Sequence, residues 1–386
     1  MKKNKCTEKN PRLGRVGGQA VLEGVMMKAG DHTVTSCRKE DGSIVVCDSS
    51  FTSVRKKHKI LNLPLLRGVI NFVEMMKLSV STLEASAEAL GIEEEESKFE
   101  KWLQKHFGKS VVNLVMILGV VLGLALSVTL FLFLPRLIVN DLLNGLILDG
   151  KMNEVLIAAL EGSVKVLIFL AYLLLVSLIP DIKRTFMYHG SEHKSIACYE
   201  AGMELTPENA MKCTRFHPRC GTSFMFFMVL IGVVVGIFVN LILPGLGKWA
   251  YTGIRLLLLP LVVGIGYEII MFAGKHDNLF TRILSAPGLW VQRITTREPT
   301  PDMLEIAITS LKCAMRDEEP AFMDFYLARP WEKKPAEETP ADEASGDTPA
   351  DSADDKEPDS APADSAEADA PASPEPAADA APVTAP

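Results

Sequence analysis

His189-Gly190-Ser191-Glu192-His193, then Glu200, then His217-Pro218-Arg219-Cys220-Gly221-Thr222-Ser223-Phe224, lie between two strongly apolar segments. Three of the seven histidines and three of the seven cysteines fall between Tyr188 and Phe224. Each helical residue turns by about 100°, so positions three, four and seven apart share a face. On a helix from His189 to Ala201, His189, Glu192, His193 and Glu200 project from one side, and Cys198 from the other. Two imidazoles one turn apart can grip a single ion, and a neighbouring carboxylate can act as ligand or general base. Gly202 is placed to end that helix in the left-handed conformation, and Thr206-Pro207 reads as the cap and first position of a second short helix. The second helix returns the chain to His217 and Cys220, candidates for closing the coordination shell. His-x-x-Glu-His is also the inverted zinc-protease signature, which depends on its structural context. The competing reading puts these histidines at the lipid headgroup level without a metal.

The same residues carry a resemblance. Tyr188-His-Gly-Ser-Glu-His-Lys194, Tyr199-Glu200, Thr206-Pro-Glu-Asn209 and His217 to Phe224 resemble the YqhQ family of bacterial membrane proteins. Two further blocks match it, Gly17 to Met27 and Pro287 to Pro299, and the likeness runs in order from Arg12 to Lys312. The resemblance implies a domain of unknown function described as a predicted metal-dependent enzyme. Cys198 and Cys213 are outside the family pattern and receive no ligand role.

Composition agrees with a membrane protein: 48% of the 386 residues are hydrophobic. The net charge of −8 is unevenly spread. From Trp331 onward there are 16 acidic residues and 3 lysines, leaving 37 basic and 32 acidic residues before it. The part before Trp331 is therefore mildly basic, as expected beside anionic lipid, and shows no nucleic-acid footprint. The tail from 331 to 386 is rich in Ala, Pro, Asp, Glu and Ser and is expected to be disordered. Met1-Lys-Lys-Asn-Lys-Cys6 is charged and no apolar core follows, so no cleavable signal peptide is expected. The cysteines, Cys37 and Cys47 included, are read as free thiols.

The expected architecture is a mainly α-helical membrane protein with about four transmembrane helices and a cytoplasmic α+β N-terminal part. Residues 1–110 form that N-terminal region. Residues 111–275 form the transmembrane region, with the His/Cys loop at 181–223. Residues 276–330 form a cytoplasmic C-terminal segment. In the N-terminal region, Gly17 to Met27 reads as a strand in which Gln19 and Glu23 share a face, and Thr33 to Arg38 with Ser43 to Cys47 reads as a hairpin. Arg67 to Leu90 has helical spacing and either packs on a core or lies along a membrane, and Glu93 to Glu96 reads as a solvated connection. Spans are expected over Leu114–Leu134, Val155–Pro180, Phe224–Leu243 and Ile254–Gly274, with Asn140 to Glu154 as the first connection. Glu161 and Lys165, four apart, are placed to pair. Glu268 in the fourth span either serves the site or sits shallowly enough to reach headgroups or pair with Arg184. Lysines and arginines concentrate in the second connection and after Gly274. The positive-inside rule then puts both termini and the His/Cys loop in the cytoplasm of a multi-pass inner-membrane protein. A helix from Pro301 through Leu311 is expected to pack on the N-terminal region.

The functional expectation is a metal-dependent hydrolase. His189, His193 and one or two of Glu200, His217 and Cys220 would hold a divalent ion, zinc by preference, and Glu192 would be the base. Membrane lipids are the expected partners. The alternative is a non-catalytic assembly or regulatory protein using the same residues as a structural metal site or polar network. Transport is only thinly supported: the spans hold one isolated acid and no internal repeat.

Overall fold

The computed structural model describes residues 11–91, 109–147, 152–275 and 278–332. The acidic run at 93–96 and the tail beyond 332 lie outside the described residues. Strands β1 (Val16–Val21), β2 (Gly24–Ala29), β3 (His32–Arg38) and β4 (Ile44–Ser50) form an antiparallel meander in the order β1-β2-β3-β4. The expected hairpin is β3–β4. The stretch from Gly17 to Met27, read as one strand, is two: Val21 pairs with Gly24 around a tight turn in which Glu23 has φ 46°. The turn lacks the usual glycine or asparagine at its left-handed position, which hid it from pattern reading.

Both faces of β2 are covered, so its residues are buried in either direction of the pleat. Val25 and Met27 join one core with Tyr188, Ile196, Leu304, Ile306 and Leu311. Val21, Met26 and Cys37 face the other way, onto Leu78. The first cover comes from α4 (Pro180–Glu200) and α10 (Pro301–Ala314), the second from α1 (Leu66–Ala89). The helix opened by Pro301 does pack on the N-terminal sheet, and Ser310 donates to the Val25 carbonyl at 2.8 Å. Each fully buried Leu or Ile here contributes about 1.5–3 kcal/mol relative to exposure. Helix α1 packs only in part, since Val73 and Val80 remain exposed.

The apolar helices differ from expectation mainly at the first. Helix α2 (Lys109–Val128) continues through π-helical Thr129–Phe133, a turn at Leu134–Arg136 and π-helical Leu137–Ile147. Asn140 to Ile147, read as part of a connection, is therefore helical. Arg136, Asn140 and Asp141 interrupt its hydropathy, but tertiary packing buries Val139 and Asn144 and keeps it wound. Helices α3 (Glu154–Val176) and α6 (Gly221–Ile242) match the second and third expected spans. The fourth is a pair, α7 (Lys248–Leu257) and α8 (Leu259–Lys275), bent by 43° at Leu258 beside Pro260. Among the described residues, three helices are long and apolar enough to cross a membrane, or four if the bent pair is one span.

Sequence reading missed α9 (Leu279–Thr295), which carries Pro287 internally. Its buried face is Thr281, Ser285, Gly288, Gln292 and Thr295, while Leu279, Phe280, Ile283 and Trp290 are exposed. This inverted polarity is why it does not look like a helix of a soluble core. A short helix, α11 (Pro320–Ala328), ends the described fold. Trp331, expected to begin the disordered tail, instead packs 5.5 Å from Phe325.

Candidate metal centre

The His/Cys segment is helical over most of its length. Helix α4 starts at Pro180, where a proline at the first position is well tolerated, and runs past Glu200. Gly202 adopts φ 71° after it, and Thr206 caps α5 (Pro207–Met211) by accepting from the Asn209 N–H. The chain then runs to Cys220, which immediately precedes α6.

Close backbone contacts seat α4. At Gly190 a Cβ would lie 1.9 Å from the Arg297 carbonyl oxygen, so a strap formed by residues 295–299 presses directly on the helix. At Gly18 of β1 a Cβ would meet the Met26 carbonyl at 2.5 Å and Cγ of Glu192 at 3.1 Å. The glycine therefore lets the sheet close over Glu192.

His189, His193 and Cys220 converge, with ligand atoms all within 4.8 Å of one another. Two ligands of a tetrahedral zinc ion, about 2.0–2.3 Å from it, are roughly 3.3–3.8 Å apart. Nε2 of His189 is 3.2 Å from Cys220 Sγ, and the two imidazole centroids are 4.5 Å apart. Each ring is anchored through its other nitrogen. His189 Nδ1 donates to the Thr295 carbonyl at 2.8 Å, and His193 Nδ1 to the Arg215 carbonyl at 2.6 Å. Such outer bonds fix the ring orientation and commit Nε2 to the centre. Cys220 Sγ also lies 3.1 Å from the Thr222 hydroxyl.

Burial opposes ionisation of Cys220, yet His189 and His193 beside it hold the thiol well below its usual range. Burial likewise disfavours a charged His189, but Cys220 and Glu192 push it up to about 9. The proton shared between imidazole and thiol is the one a divalent ion would displace. Two imidazoles and a thiolate are a donor set suited to a borderline-soft ion, so the residues fit zinc.

Glu192 is buried, with Oε2 3.9 Å from His189 Nε2. Burial raises its pKa above the ordinary carboxylate value, against the pull of His193 and His189. The two remaining candidates form a neighbouring network. Glu200 accepts from Arg219 and from the Gly14 N–H at 3.0 Å, and lies 3.6 Å from His217 Nε2. Burial works against its charge, but His217, Gly14 and Arg219 hold it down at about 2. The His217 ring is 5.6 Å from that of His193. The structure thus groups His189, His193 and Cys220, with Glu192 alongside and Glu200 and His217 one layer out.

Two residues with supporting roles, Gln292 and Glu298, fall in the Pro287 to Pro299 block, where sequence reading gave neither a role. Gln292 accepts from the His217 N–H at 2.8 Å and donates to the His217 carbonyl at 2.7 Å, clamping that peptide. Glu298 bridges Lys194 at 3.0 Å and Arg215 at 3.2 Å, tying the strap to both sides of the site. The family block was the hint Gln292 offered; its orientation towards the site follows from α9, which sequence reading missed. Gln19 and Glu23 do not reach the centre. Gln19 bonds Ser79 and Thr82, whereas Glu23 pairs with Arg184 and Tyr188. Glu268 pairs with Arg67, not Arg184.

Comparison with known proteins gives the family of the chain. A family described as "Protein of unknown function (DUF1385)" matches residues 63–317. The chain is 35% identical over 309 residues to the uncharacterized protein YqhQ of Bacillus subtilis (strain 168), covering 78% of this chain and 92% of that protein. No solved structure matches. The chain belongs to the DUF1385 family, of which YqhQ is a relative, and whose function is unknown.

Proposed function

We propose that this chain is an integral protein of the bacterial cytoplasmic membrane that presents a divalent-metal site, with zinc the preferred ion, to the cytoplasm and acts as a hydrolase. The convergence of His189, His193 and Cys220, each imidazole held by a backbone carbonyl, carries the metal reading. The membrane reading is supported by the apolar helices and by α9, whose exposed Leu279, Phe280, Ile283 and Trp290 suit lipid and whose polar residues face inward. The basic residues of the α3–α6 connection favour a cytoplasmic face for the site.

A divalent ion, when bound, supplies positive charge that polarises a carbonyl or phosphoryl oxygen and acidifies water near neutral pH. The chain's own residues do the rest. Cys220 and the two Nε2 atoms bind, while Thr295 and Arg215 orient the rings. Glu192, buried beside His189 and raised in pKa by that burial, accepts a proton from water and passes it to the leaving group. The closed sheet at Gly18 limits water around that carboxylate.

A second reading rests on His217, whose ring lies 5.6 Å from that of His193 and would be a fourth ligand if it turned away from Glu200. A complete shell leaves no open position and would make the metal structural, in a protein of assembly or regulation. Elemental analysis of detergent-purified wild type, His193→Ala and Glu192→Gln, beside a screen of peptide, ester and phosphoester substrates, separates the two. The hydrolase reading expects near-stoichiometric metal in wild type and Glu192→Gln, none in His193→Ala, and turnover in wild type only. Metal retained by Glu192→Gln with no wild-type turnover supports the structural role. Metal absent from wild type purified without chelator sinks both.

A further inference from the structure

A second cluster of chemistry-bearing residues lies on helices that the function above leaves unused. Tyr251 on α7 has two guanidinium groups against its ring, Arg255 at 5.4 Å and Arg136 at 5.7 Å from the centroid. The ammonium of Lys165 on α3 is within electrostatic reach of both, and of Glu161 one turn earlier. Arg136 belongs to the interrupted first helix, between its two π-helical stretches, and such widened turns are frequent at functional sites. Four segments therefore converge here. Gly232 and Gly236 on α6 lie about 18–24 Å along the helix from Cys220, at roughly 1.5 Å per residue, so this is not the metal centre.

The packing is built around the cations. A Cβ at Gly236 would come 3.1 Å from the Arg255 guanidinium carbon and 3.2 Å from the Tyr251 hydroxyl, so the glycine makes room for both. Arg255 donates to the Gly232 carbonyl at 3.0 Å, and the Tyr251 hydroxyl to the Gly236 carbonyl at 3.3 Å. Nε of Arg136 is buried and has no partner. Glu161 is buried, and its charge acts on Lys165 through space. Among the described residues, no carboxylate lies in ion-pair contact with Arg136, Lys165 or Arg255. Three cations and Glu161 leave a balance of +2, and counting Asp141, five residues past Arg136, still leaves +1. On helices apolar enough to cross a membrane, cations gathered with too few carboxylates to balance them repel one another and favour an added anion.

We propose that Arg136, Lys165, Arg255 and Tyr251 form a binding site for a phosphate-type oxyanion, carried on a lipid headgroup or free in solution. Two guanidinium forks and an ammonium offer more donors than a carboxylate can accept, and match the several oxygens and the charge of a phosphate. The intramembrane depth of the site rests on the membrane reading above. Failure of that reading shows separately, as protein that stays soluble without detergent after cell fractionation.

The test compares wild-type protein in mild detergent with Arg136→Gln/Arg255→Gln and with Arg136→Lys. Native mass spectrometry reads co-purifying phospholipid, and thermal unfolding is followed against inorganic phosphate, with chloride at equal ionic strength as control. Anionic phospholipid retained by wild type and reduced more than tenfold in the double glutamine variant identifies a headgroup site. No retained lipid, but a phosphate-specific rise in midpoint in wild type that weakens more than tenfold in the variant, identifies a free oxyanion. Arg136→Lys should give an intermediate response in either case. Wild type that neither retains anionic lipid nor responds to phosphate overturns the proposal, as does a monodisperse double variant that behaves like wild type. If the double variant fails to fold, Lys165→Gln replaces it under the same criteria.

Discussion

Replacing Gly190 with alanine tests whether the strap after α9 is what aims His189. In an exposed helix the change is favourable by about 1 kcal/mol. Here the new Cβ would sit 1.9 Å from the Arg297 carbonyl oxygen and 3.1 Å from its carbon, both backbone atoms. An ordinary contact is 3.4–4 Å, so the strap or helix must retreat by more than an ångström. The strap cannot swing freely. Arg297 donates its N–H to the Phe186 carbonyl at 2.8 Å, Arg215 bonds the Thr296 carbonyl, and Glu298 holds Lys194 and Arg215. Overpacking of this kind costs about 1–3 kcal/mol, occasionally more. Because both clashing atoms are backbone, the upper end applies, and against the helix gain a net loss of about 2 kcal/mol is expected. The same retreat draws the Thr295 carbonyl away from His189 Nδ1, and losing such an outer bond weakens metal affinity about 10- to 100-fold. Denaturant unfolding in detergent reads the first effect and competition with a chromogenic zinc chelator the second. Gly253→Ala, where a Cβ meets nothing within 4 Å, is the control. Gly190→Ala that unfolds and binds zinc like Gly253→Ala would refute the reasoning.

Other perturbations reach separate parts of the site and its support. Glu200→Gln should cost on the order of 3 kcal/mol at neutral pH, because it leaves Arg219 without its buried carboxylate. The folded pKa of about 2 is below the ordinary carboxylate value of 4.5, so this stabilisation is complete above about pH 4.5 and is lost as pH falls towards 2. The gap between wild type and variant should therefore close over that window in acid titrations of unfolding, and a gap independent of pH would contradict the ion network. Iodoacetamide at pH 6.5, read by peptide mass spectrometry, should label Cys220 before Cys37 or Cys313, whose thiols burial pushes up to about 12. Zinc added beforehand should protect Cys220, and unprotected labelling would argue against its ligand role. Arg67→Gln strips Glu268 of the guanidinium that reaches it at 2.7 Å between α1 and α8. A drop of about 1 kcal/mol is expected for this partly exposed pair, largely reversed by adding Glu268→Gln, and simple additivity of the two would show that the pair does not matter.

The sequence alone determined the features that depend on neighbours along the chain. Helical spacing placed His189, Glu192 and His193 on one face of a helix, Gly202 and Thr206 marked its end and the next cap, and uninterrupted apolar runs marked α3 and α6. Where a local rule had an exception, reading failed: the β1–β2 turn has Glu23 where glycine is usual, and the first apolar helix continues through Arg136 and Asp141. Tertiary structure decided which candidates meet. Spacing made Glu200 and His217 as plausible as Cys220, but Arg219 and the Gly14 N–H draw Glu200 into a separate network, while Thr295 and Arg215 aim the two imidazoles at Cys220. Those partners come from segments up to 186 residues away, and carbonyl oxygens are present at every residue. A sequence records which side chains exist, but the folded backbone sets which carbonyl faces which ring.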